Sequence, residues 1–119
     1  MIDAHTRAAD ILINQEVYEE RRRQDLTWGE QNHPNGTDSD FAAMREHMRQ
    51  RCKDAANTRT VTWEHIASEE YFEALAETDD EKLRAELIQL TAVLVAWVAC
   101  IDRRRAQVAP AREEAENEH

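Results

Sequence analysis

Two carboxylates three residues apart, Glu70 and Glu73 in the segment SEEYFEAL, are the first feature of this chain that could do chemistry. On a helix, residues at that spacing project from one face, roughly 60° from each other. Their stripe, Ile66, Glu70, Glu73 and Glu77, runs beside an apolar stripe of Trp63, Ala67, Tyr71 and Ala74, so the acids sit at the edge of a face expected to be buried. Further along, Glu86 comes just before a long apolar run and Gln89 lies one turn inside it. Polar residues so placed break the hydrophobic pattern, and function is often found where a local rule is broken. Crowded carboxylates repel and raise one another's pKa values. A divalent ion such as Mg²⁺ relieves that repulsion, takes hard oxygen ligands and keeps positions open for phosphate oxygens and water. In a chain with 25 acidic residues the same spacing also arises as solvated surface, and that reading stands beside the metal one.

These residues need a scaffold, and the pattern supplies helices. Residues 3 to about 24 predict a first helix, with Ala9, Ile13 and Val17 recurring and Leu12 and Tyr18 widening the apolar face. Arg21, Arg22 and Arg23 are expected in its last turn, where cations suit the helix dipole. Asp25 to Ser39, DLTWGEQNHPNGTDS, gathers Gly, Pro, Asn and Asp and reads as a long loop, a kind that is often functional. A second helix, capped near Asp38 to Asp40, carries the stripe Phe41, Met44, Met48, Cys52 and Ala55. Thr60 or Thr62 caps a third helix over about 63–77. Thr78 and Glu81 match a capping box that opens a fourth helix, about 79–106. Leu83, Leu87, Leu90, Leu94, Trp97 and Ile101 form its main seam, while Ile88, Ala92, Val95 and Ala99 occupy another face. Such a helix must be covered on more than one side, which predicts a subunit interface along it. The short link between the third and fourth helices makes them an antiparallel hairpin. At ~1.5 Å rise per residue, Glu70, Glu73 and Glu86 then match in height within about one turn.

Composition agrees with an all-α chain. Its 119 residues suit one domain, taken as 1–107, followed by an acidic tail over 108–119 that is mobile or a frayed helical extension. Only two glycines and two prolines occur, against the needs of a turn-rich β fold. The formal charge of −10 argues against a binder of polymeric nucleic acid but not against a nucleotide held through a metal. Cys52 and Cys100 sit in apolar helical stripes and read as reduced thiols, with no zinc spacing. The polar N-terminus shows no secretory signal, and Leu87 to Ile101 falls short of the roughly 20 residues of a membrane span. The expectation is a cytoplasmic protein without a membrane partner.

EEYFEAL followed by ELIQLTAVLVAW resembles the MazG-like all-α nucleoside triphosphate pyrophosphohydrolases, a superfamily that includes dCTP pyrophosphatases and dimeric dUTPases. Their signature is ExxE on one helix and ExxD on the next, holding Mg²⁺. Glu70 and Glu73 match the first half and Glu86 the Glu of the second, while Gln89 stands where the family has aspartate. Trp28 to Pro34, WGEQNHP, is similar to a tryptophan–glutamine–histidine–proline stretch that members carry near the nucleotide. The Lys/Asn-containing segment that many members carry after the metal helix has no counterpart beyond Arg103, Arg104 and Arg105. The resemblance, over about residues 10–105, implies a four-helix bundle with a long loop after helix 1 and a buried, oligomer-forming fourth helix.

It also implies that the chain converts a (deoxy)nucleoside triphosphate and water into the monophosphate and pyrophosphate. Glu70, Glu73 and Glu86 would be the catalytic carboxylates. With Gln89 in the ligand set, they would hold Mg²⁺, or Mn²⁺ in its place, and Glu69 or Glu73 would accept the water proton. Trp28 would stack on the base and Gln31 and His33 would read its edge, with Lys82 at the hairpin turn also on the substrate side. A homodimer or homotetramer is the implied assembly. Two alternatives remain open: a nucleotide-binding or sensing module weakened in catalysis by Gln89, and a structural helical oligomer.

Overall fold

A computed structural model describes residues 4–117, with side chains described as far as Val108; its regular elements are all helices, with no strand among those residues. Four α-helices follow in order: α1 over Ala4–Trp28, α2 over Ala42–Asn57, α3 over Trp63–Leu75 and α4 over Asp80–Asn117. The all-α expectation therefore holds. The described residues divide into two compact units, 4–31 with 95–117, and Asn32–Leu94. The second unit carries the paired acids.

In the first unit, α1 continues one turn past its expected end and takes Trp28 out of the loop. Gly29 stops it: its φ of +68° is the left-handed conformation that glycine adopts without a Cβ clash. Its N–H donates to the Asp25 carbonyl at 2.8 Å. The arginine run consequently lies short of the last turn, and each arginine pairs along the helix instead, Arg21 with Asp25, Arg22 with Glu19 and Arg23 with Glu20. Ile13 is buried, whereas Leu12, Val17 and Tyr18 of the expected apolar face are exposed.

In the second unit, a 3₁₀ turn over Ser39–Phe41 leads into α2, and Asp38 caps it by accepting the Asp40 N–H at 2.8 Å. The loop is thus shorter than expected, running from Gly29 to Asp38. Its second half is tied down at both ends of the α3–α4 link. The Asp38 N–H donates to the Leu75 carbonyl at 2.9 Å, and Asn35 Nδ2 donates to Asp80 Oδ1 at 2.7 Å. Phe72 packs between Phe41, at 6.4 Å between ring centroids, and Tyr71, at 5.6 Å. Ala55, Ala74 and Leu83 complete the core of this unit, Ala74 at 2 % exposure. Tyr71, expected in the buried stripe, is exposed.

Helix α2 ends in a Schellman motif. Thr60 N–H donates to Ala55 O at 2.8 Å and Arg59 N–H to Ala56 O at 3.2 Å. Arg59, with φ +56°, takes the left-handed place that glycine usually fills.

The fourth helix differs from expectation in two ways. Its backbone stays helical to Asn117, past the helix end expected near 106 and in keeping with the helical extension named as one alternative for the tail, whose side chains from 109 onward lie outside the described residues. It is also not buried within one chain. Leu83 and Ala99 are buried, but Ile88 is 56 % and Leu94 44 % exposed, as are Leu87, Val98 and Ile101 in large part. A helix apolar on several faces needs more covering neighbours than a short chain supplies. By length and composition, Asp80–Val108 could cross a membrane. Its charge-free part, 87–101, which also holds Gln89 and Thr91, reaches only about 22 Å at ~1.5 Å per residue, against a hydrocarbon thickness of roughly 30 Å.

Candidate metal centre

The register of α3 is set at its start. Thr62 accepts the His65 N–H through its hydroxyl at 3.4 Å, and the Thr62 N–H donates to His65 Nδ1 at 3.0 Å, a capping box with histidine in the glutamate's place. Of the two caps the sequence allowed, Thr62 is the one used. At α4 the cap is Asp79, not Thr78: Asp79 Oδ2 accepts the Lys82 N–H at 2.9 Å, and the Asp79 N–H is bound by Glu77 Oε1 at 3.1 Å. Aspartate outcompetes the preceding threonine because its charge faces the positive end of the helix dipole. The turn between the helices is correspondingly tight.

That turn brings Glu86 against Glu70 and Glu73. One carboxylate oxygen from each lies within 4.8 Å of the others, and all three side chains are half-buried. Glu70 Oε2 and Glu86 Oε2 are buried and make no hydrogen bond. Unpartnered buried acceptors are costly, since they forgo water without a replacement donor. Both carboxyls are held above their ordinary value of 4.5. For Glu70 the causes are burial, then the charges of Glu73, Glu86 and Glu69; for Glu86 they are burial, then Glu73 and Glu77, with a hydrogen bond to Glu73 adding to the effect. Glu73 is instead paired: Arg49 Nε of α2 donates to its Oε1 at 3.3 Å, and Arg49 Nη1 lies 3.5 Å from Glu46 Oε2.

Three half-buried carboxylates with two oxygens lacking donors fit the ligand demands of a hard divalent cation. Glu69, the other proton acceptor that the resemblance implies, lies by the Cys52 thiol. Burial first, then Glu69, push that thiol up to about 11, while Cys52 Sγ donates to the His65 carbonyl at 3.1 Å. Neither cysteine is in a disulfide. Gln89 lies on α4 one turn beyond Glu86 and is exposed.

The residues expected on the substrate side are distributed along the chain. Trp28 is the last residue of α1 and is 71 % exposed. Gln31 lines an open groove of the first unit with Arg21, Asp25, Gly29 and Glu30. His33 is exposed in the loop of the second unit, and Lys82 is exposed in the first turn of α4.

Arg49 is the site residue that sequence reasoning missed. It sits on a different helix, 24 residues from Glu73, and nothing local distinguishes it from the other arginines of α2.

No family model matches this chain, and no curated protein or solved structure matches it either.

Proposed function

We propose that the chain is a Mg²⁺-dependent nucleotide pyrophosphohydrolase, converting a (deoxy)nucleoside triphosphate and water into the monophosphate and pyrophosphate. The observation that carries this reading is the convergence of Glu70, Glu73 and Glu86 with two buried oxygens lacking hydrogen-bond donors. These three residues would hold the divalent ion, with Mn²⁺ as an alternative to Mg²⁺. Bound there, the ion supplies positive charge to the phosphate chain and acidifies water. Glu73 would take the proton of the attacking water. Within the same unit as the three acids, His33 would meet the base and Lys82 a phosphate. The exposed apolar residues of α4 support self-assembly as a homodimer or homotetramer, since large apolar surface is normally covered. The interior of the cell suits such a substrate.

The test is pyrophosphate release across a panel of ribo- and deoxyribonucleoside triphosphates with Mg²⁺. Substrate-dependent release that disappears in Glu86→Gln supports the reading; silence across the panel with wild-type protein contradicts it. A second reading, a nucleotide-binding module without turnover, draws on Gln89, whose uncharged amide leaves the cluster one carboxylate short of the family pattern. Calorimetric nucleotide binding without release would favour it.

A further inference from the structure

Arg49 has a place in this site that the hydrolase reading does not require. Its guanidinium spans two acids, Glu46 on its own helix and Glu73 on α3, so it is anchored on the α2 side while it reaches the cluster. Both Glu73 and Arg49 are only partly exposed, Glu73 the less so. The guanidinium thus supplies positive charge to the group of oxygens that a divalent ion would use.

We infer that Arg49 is a built-in counter-ion that competes with the divalent cation for Glu73. The inference rests on the metal-centre reading above and adds a form of regulation to it. Without the ion, the Arg49 pair holds Glu73 in place and offsets part of the repulsion among the three carboxylates. When the ion arrives, Glu73 has to be shared or surrendered, and a cation already close by lowers the ion's affinity. The structure provides for that surrender: Glu46 remains as a second acceptor on α2, so the guanidinium keeps a partner when it leaves Glu73. Divalent affinity is accordingly set below what three carboxylates alone would give, so that the site loads only when the ion is abundant.

The experiment is calorimetric titration with Mn²⁺ of the wild-type chain, Arg49→Met and Arg49→Lys, together with thermal unfolding in chelator. A single positive charge a few ångströms from a divalent ion, under water-like screening, changes its affinity about tenfold. Arg49→Met is expected to bind Mn²⁺ about tenfold tighter than wild type and to melt lower in chelator, whereas Arg49→Lys keeps near wild-type affinity. Equal or weaker binding by Arg49→Met overturns the counter-ion role while leaving the metal centre intact. Binding by Arg49→Met alone supports it. Binding by none of the three overturns the metal centre and this inference together. A measurement without substitution stands beside these: in ¹⁵N-arginine-labelled wild type, the Arg49 Nε–H resonance should shift on adding Mg²⁺, and an unmoved resonance at saturation contradicts displacement.

Discussion

Replacing Glu70 by glutamine should move stability in opposite directions with and without a divalent ion. In the metal-free protein, Glu70 contributes a negative charge within 4.8 Å of two other carboxylates and carries a buried oxygen without a donor. Like charges at that separation repel by about 1 kcal/mol with water-like screening and by about 2 kcal/mol if the effective dielectric is halved. The groups are partly solvated, so the lower figure applies. Glu73 and then Glu86 are the charged neighbours that oppose it, and Arg49 offsets part of the Glu73 charge. Glutamine keeps the shape, removes the charge and adds N–H donors for the neighbouring carboxylates. Glu70→Gln should therefore stabilise the metal-free chain by about 1 kcal/mol, which for a domain near 100 residues raises Tm by roughly 4–8 °C. With Mg²⁺ at ten times its Kd, the wild type should gain about 1.4 kcal/mol by mass action, and the variant should lose most of that gain. The assay is far-ultraviolet circular dichroism melting in chelator and in Mg²⁺. A variant that melts lower in chelator and responds to Mg²⁺ as wild type does would refute the argument, because it would mean that Glu70 neither suffers the repulsion nor binds the ion.

Two further expectations follow from the same geometry. The Glu70 and Glu86 carboxyls are held above 4.5 in the folded chain, so folding favours their protonated forms. Their contribution is complete below the ordinary value and is lost as pH climbs through the raised ones. The metal-free Tm should thus fall as pH rises above about 4.5, less steeply in Glu86→Gln, and saturating Mg²⁺ should flatten it; an identical slope in Glu86→Gln would assign the fall to other groups. Gln89→Asp, one helical turn from Glu86, adds a carboxylate on the same side of α4 and should tighten Mg²⁺ binding several-fold; weaker binding would show that position 89 faces away from the ion.

The helices were legible in the sequence because their apolar residues recur at helical spacing and their caps are chemically marked, as at Asp38 and Thr62. Their ends were less so. Trp28 looked like loop because of its neighbours, but the chain stays helical until Gly29 supplies a left-handed stop. The choice of Asp79 over Thr78 depended on a turn in which Glu77 also takes part. The meeting of Glu70, Glu73 and Glu86 was visible because a short link fixes the register of two antiparallel helices, so heights can be counted along the chain. Arg49 was not visible, since its approach to Glu73 depends on how α2 packs on α3, and many side chains satisfy the same local pattern. Likewise the apolar seam of α4 predicts that it needs covering, while the partner that covers it lies beyond any one-chain pattern.

The central claim, that acids from α3 and α4 share one divalent ion, is tested most directly by anomalous scattering from crystals soaked in Mn²⁺. The account predicts a peak about 2.1 Å from carboxylate oxygens of Glu70, Glu73 and Glu86. Ordered Mn²⁺ bound elsewhere, or full-strength soaks that leave these three carboxylates without an anomalous peak, would contradict it.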